Sequence, residues 1–202
     1  MNHPDVIFYP WLGKNYNDRG FKGKKILILG ESHYGDFSSE ESNTTIDTVE
    51  RYLGRLTTTS DTHNWKSFFT KITKICLDKD EIFKEDKDCF WDSVVYYNYL
   101  TESLKKNCRP TTEQWENSGA NFYKVINYYK PDIVLVLGDA LWKHMPYKNW
   151  NLAEPNLGYY ILDDGKKIFV SSIYHPSSRY CYGTDKYISK EIFKKLIEYN
   201  IC

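Results

Sequence analysis

The chain has 202 residues, and 27 Lys plus Arg balance 27 Asp plus Glu, so its formal net charge is zero. That length suits one domain over 1–202 with a proper core. The neutral balance excludes binding to nucleic acid through bulk positive charge, while leaving room for a local basic face.

Four apolar runs organise the chain. The first is Lys25–Leu29, ending at Gly30, and the second is Val94–Leu100. The third is Asp132–Leu137, ending at Gly138, and the fourth is Lys167–Tyr174. Runs that are apolar throughout, rather than alternating, predict strands covered on both faces. Between the first two, a polar segment rich in Ser and Thr, Phe37–Asp61, reads as a loop or mobile insertion. Trp65, Phe68, Phe69, Ile72, Ile75 and Cys76 then recur at helical spacing. After Pro110, Thr111 and Gln114 fit a capping box that opens a helix carrying Trp115, Phe122, Val125, Ile126 and Tyr129. Asp139 reads as the N-cap of a helix over Ala140–Met145. A last helix carries Ile188, Ile192, Phe193, Leu196 and Ile197 as an apolar stripe. Strands alternating with helices predict an α/β protein, a three-layer α/β/α sandwich around a four-stranded, mainly parallel sheet.

Five cysteines, at 76, 89, 108, 181 and 202, include no CxxC pair. Their odd number, with no signal peptide before the first strand, predicts reduced thiols in a cytoplasmic protein without a tetrahedral zinc site. A monomer with no metal and no cofactor is expected. The apolar runs are strand-length, so no transmembrane helix is expected. The eighteen Tyr and six Trp are expected mostly in the core and at its edge.

In open parallel sheets ligands bind beyond the carboxyl ends of the strands. Gly30, Glu31, Ser32, His33 and Tyr34 follow the first strand. Asn98 lies near the end of the second, Gly138 and Asp139 at the end of the third. His175, Pro176, Ser177, Ser178 and Arg179 follow the fourth. Each has a structural reading beside a functional one. Gly30 can simply permit a turn, Glu31 can complement a helix dipole, His33 can be a satisfied surface histidine, and His175 can cap a loop. Asn98 is harder to explain structurally, because a buried amide without partners costs on the order of 1–3 kcal/mol.

Gly30-Glu31-Ser32-His33-Tyr34-Gly35 resembles the first motif of the uracil-DNA glycosylase superfamily, Asn98 its base-reading asparagine, and His175-Pro176-Ser177-Ser178-Arg179 its second motif. Order and approximate spacing agree from Lys25 to the last helix, although the His-Pro-Ser triplet alone is weakly specific. The resemblance implies an enzyme of DNA repair that flips a uracil-like or modified base out of DNA and hydrolyses its N-glycosidic bond. It implies that Asn98 reads the base edge and that His175 donates to the anion developing on the base. It places Tyr34 against C5 of the base, Ser177 on a backbone phosphate and Arg179 at the wedge position, with DNA contacts also at Ser178. Gly30 and His33 complete the base pocket. The stacking aromatic has no clean match; Phe37, Trp65 and Phe68 are candidates.

The sequence departs from the family at Ser32, where the strongest members carry a water-activating Asp. Glu31 is the motif's one carboxylate, and we assign it the water. The four-cysteine iron–sulfur spacing of one branch is absent. Two alternatives follow. One is a weakly active or inactive module on the same fold that binds a nucleobase or DNA. The other is a hydrolase unrelated to DNA using Glu31 and His33, since Gly-Glu-x-His also opens erythromycin-esterase-like sequences. Lys22, Lys24, Lys25, Lys105, Lys106, Arg109, Lys143 and Arg179 could track a phosphate backbone, though all but Arg179 read as ordinary solvated surface.

Overall fold

The computed structural model describes residues 3–35, 41–57, 65–105, 107–154, 156–178 and 186–199. The chain is α/β. Its strands are β1 (Trp11–Leu12), β2 (Ile26–Gly30), β3 (Val94–Asn98), β4 (Ile133–Leu137), β5 (Trp150–Glu154), β6 (Leu157–Ile161) and β7 (Lys167–Ile173). Its helices are α1 (Thr44–Leu53), α2 (Lys66–Leu77), α3 (Lys84–Trp91), α4 (Thr112–Tyr129), α5 (Asp139–Lys143) and α6 (Lys186–Glu198).

The four apolar runs form β3, β2, β4 and β7, paired in that order and parallel throughout. The sheet nevertheless has seven strands rather than four, in the order β1-β3-β2-β4-β7-β6-β5. β1 adds antiparallel at one edge, and the β5–β6 hairpin adds antiparallel at the other. These edge strands escape a search for apolar runs: β1 has two residues, and β5 is largely exposed.

Strand alternation divides the core. Ile26 and Ile28 of β2, with Val94 and Tyr96 of β3, join a cluster with residues of α1, α2, α3 and α6. Leu27, Leu29, Val95 and Tyr97 point the other way, into a cluster with α4 residues Trp115, Phe122, Val125 and Ile126. Gly30 and Asn98 sit opposite each other in the β2–β3 register, two residues beyond Ile28 and Tyr96. They therefore face the α1–α2 side of the sheet.

Two local expectations are corrected. The segment 37–61 is not wholly loop, since α1 occupies Thr44–Leu53 and buries Thr44, Thr45, Val49, Tyr52 and Leu53. Threonines make up part of its buried face, so the composition looks like loop while the spacing is helical. Asp139 does not cap α5. Gly138 is the N-cap, and Asp139 is the first helical residue. The Thr111–Gln114 capping box is present, with Gln114 N donating to Thr111 Oγ1 at 3.2 Å and Thr111 N to Gln114 Oε1 at 3.0 Å. Cys76, Cys89 and Cys108 form no disulfide. Among the described residues no helix is long and apolar enough to cross a membrane.

Candidate functional site

Glu31, Asn98 and His175 follow or end three different parallel strands, so the topology brings them to one rim. There they line a cavity of about 410 Å³ with Ser32, His33, Tyr34, Tyr96 and Ser177. The helices supply the opposite wall, through Thr48 and Arg51 of α1, then Trp65, Phe68 and Phe69 at and within the start of α2. A second groove shares Glu31, Tyr34, His175 and Ser177, and runs on past Arg109, Gly138 and Ser178.

The first loop is pinned by backbone bonds. Gly30 O and Glu31 O accept from Tyr99 N and Leu100 N, each at 2.9 Å. His33 O accepts from Leu104 N at 2.8 Å. Gly30 is there for close approach. A Cβ on it would lie 2.2 Å from Asn98 Oδ1 and 2.8 Å from Tyr96 Oη. Gly30→Ala should therefore push the Asn98 amide aside, with a stability loss of about 1–3 kcal/mol. Urea denaturation and a ligand-binding titration of the variant check both effects.

Asn98 is 4% exposed, and its amide is held from two sides. Tyr96 Oη donates to Oδ1 at 2.8 Å. Nδ2 lies 3.2 Å from both nitrogens of His33, and His33 Nε2 lies 2.9 Å from Thr45 Oγ1. The tautomer in which Nε2–H donates to Thr45 and Nδ1 accepts from Asn98 satisfies this chain. Burial pushes the His33 imidazole down to about 4, so it is neutral at pH 7. His33 thus stands behind Asn98 and positions it, while also touching the cavity. Each amide atom of Asn98 keeps further hydrogen-bonding capacity for a ligand.

His175 is set by its own loop. Its Nδ1 accepts from Ser177 N at 3.2 Å, and its carbonyl from Ser178 N at 2.8 Å. With Nδ1 an acceptor, Nε2 carries the proton. Burial lowers the His175 pKa, and the charge of Glu31 pulls it partly back. Gly138, at φ 107°, lets β4 end against this loop; a Cβ there would lie 2.9 Å from His175 Cβ. The Phe68 ring lies 5.5 Å from the imidazole.

Glu31 is 7% exposed, and its Oε1 accepts from Tyr34 Oη at 3.0 Å. Burial raises the Tyr34 pKa, and the Glu31 carboxylate adds to the shift. The Ser32 hydroxyl lies near enough to oppose this shift, yet among the described residues it forms no hydrogen bond of good geometry, and its Oγ is buried.

The structure thus gathers Gly30, Glu31, Ser32, His33, Tyr34, Asn98, His175 and Ser177 at one place, with Ser178 in the adjoining groove. Of the aromatic candidates, Trp65 and Phe68 line the cavity. Arg179, Phe37 and Lys106 lie outside the described residues. Thr45, Thr48 and Arg51 are functional neighbours that sequence reasoning missed. Their spacing, every third residue, was the available signal. No protein-family model matches this chain, and no curated protein matches it.

Proposed function

We propose that this protein is a DNA glycosylase of the uracil-DNA glycosylase type, which takes a flipped-out uracil-like or modified base into the cavity and hydrolyses its N-glycosidic bond. The observation that carries the reading is His175. Its Nδ1 is occupied by Ser177 N–H, so a neutral imidazole presents Nε2–H at a cavity shared with Asn98 and Glu31. As the bond between C1′ and the base nitrogen breaks, its electron pair passes to the base. Nε2–H of His175 donates to the base oxygen on which that charge collects. Asn98 holds the base edge through its remaining donor and acceptor. Water adds to C1′ and gives its proton to Glu31, whose second carboxylate oxygen is not used by Tyr34. Trp65 or Phe68 offers a ring for stacking, and the groove past Arg109 and Ser178 provides a path for the strand.

A base-release assay tests this over oligonucleotides carrying uracil, hypoxanthine, xanthine and modified pyrimidines. Release from at least one, lost in Asn98→Ala, is expected. No release across the panel at high protein concentration would overturn the enzymatic reading.

One observation favours a second reading, a base-binding module with little or no turnover. Ser32 supplies no anion, and Glu31 is tethered to Tyr34. Binding without release, weakened in Asn98→Ala, would establish it. The hydrolase reading through Glu31 and His33 draws no support from the site. Both His33 nitrogens are engaged by Asn98 and Thr45, and its imidazole stays neutral down to about pH 4.

A further inference from the structure

Two arginines of one segment are treated very differently. Arg55, just past the end of α1, is paired through both Nη groups: Nη1 donates to Asp92 Oδ1 at 2.9 Å, and Nη2 to Asp88 Oδ1 at 2.7 Å and Asp92 Oδ2 at 3.0 Å. Arg51, in the last turn of α1, has no ion pair or hydrogen bond from its guanidinium among the described residues, and its Nε is shut off from solvent without an acceptor. Its side chain is half-buried and lines the cavity with Thr48 and Trp65.

An unsatisfied buried donor on a charged group is costly. A cation in the last turn of a helix gains a little from the helix dipole, but that gain does not require a cavity wall. Among the described residues no carboxylate pairs with Arg51, although Glu41 and Asp47 border a neighbouring groove with it, whereas two pair with Arg55. The cavity itself is larger than a bare pyrimidine needs. Its other charge, Glu31, projects from the rim of the sheet rather than from α1.

We infer that Arg51 is the receptor for an oxyanion carried by the ligand, a carboxylate or phosphate attached to the base or its sugar. This rests on the reading of the cavity as a base pocket, and it narrows the substrate class from neutral bases to acidic ones. A planar guanidinium suits such a group, because its parallel N–H donors match two oxygens of a carboxylate or phosphate. The oxyanion meets the Nη groups at the cavity and neutralises a charge that no described residue answers.

Calorimetric titration of the purified protein with uracil, 5-carboxyuracil, 6-carboxyuracil, dUMP and benzoate tests the inference. At least one anionic pyrimidine should bind about tenfold or more tightly than uracil. A carboxyuracil in that place assigns the oxyanion to the base, and dUMP assigns it to the sugar phosphate. Arg51→Gln should abolish the preference, and Arg51→Lys should restore part of it. The Arg51 Nε–H resonance of the unmutated protein should shift with the anionic pyrimidine and stay still with uracil, a readout that does not depend on a variant folding. Equal affinity for anionic and neutral pyrimidines, or a preference that survives in Arg51→Gln, would overturn the inference. If no pyrimidine binds, the base-pocket reading falls. Benzoate then decides Arg51 separately: binding lost in Arg51→Gln upholds the oxyanion receptor, and no benzoate binding overturns it.

Discussion

Acidification from pH 7 to pH 4 is expected to cost the fold about 3 kcal/mol through His33 alone. The imidazole titrates near 6.5 in an unfolded chain and is pushed down to about 4 by burial in the native one. Between those values the unfolded state binds more protons than the folded state, so stability must rise with pH across that window. The contribution is therefore complete above about pH 6.5, declines as pH falls and is spent below about pH 4. Burial lowers His175 as well, which adds to the slope with the same sign. The His33 share is isolated by His33→Gln, whose amide can still donate to Thr45 and accept from Asn98. Urea denaturation of both proteins from pH 7 to pH 4 makes the comparison. A shallower slope in the variant is expected, and equal slopes would refute the assignment. Ligand binding by the folded protein should fail only as pH falls through about 4, where the native His33 takes up its proton and presents N–H where Asn98 needs an acceptor.

The same chain of contacts explains what could be read from sequence and what could not. Strands β2, β3, β4 and β7 were legible because parallel strands buried on both faces read as nearly continuous apolar runs. Gly30, Asn98 and His175 were legible because each is a polar or permissive residue ending such a run, and parallel packing sends those ends to one rim. The partners that hold them were not legible. His33 sits one residue from Ser32 and two from Glu31, and nothing local says that its side chain turns to Thr45 while theirs do not. Thr45 and Arg51 lie in a segment whose Ser and Thr content resembles loop. Thr45 meets His33, and Arg51 becomes part of a cavity wall, only when Val49, Tyr52 and Leu53 of the same helix dock on the sheet. The edge strands failed for the opposite reason. β5 is mostly exposed and carries no burial pattern, so its pairing with β6 is a tertiary fact.

His175→Ala is expected to lower the single-turnover rate of base release by about 10²- to 10³-fold, the range seen when one preorganised donor to a developing anion is removed. The physical basis is differential. In the ground state the base oxygen is nearly neutral, and one hydrogen bond to it contributes modestly. In the transition state it holds much of the bonding pair, and the same donor acts at a partly buried site where a charge is poorly screened. Affinity for the intact substrate should therefore change far less than the rate. The Ser177 contact sharpens the expectation. Nδ1 already accepts the Ser177 N–H, so the imidazole does not need to ionise in order to donate, and the rate should stay flat as pH rises above 7. His175→Asn retains an amide donor, although its shorter side chain stops short of the Nε2 position, so it should recover only part of the loss. Equal losses of rate and affinity in His175→Ala would show that the residue shapes the pocket rather than stabilising the departing base. A rate that falls steeply above pH 7 would instead require a protonated imidazole, against both the Ser177 contact and the direction in which burial moves its pKa.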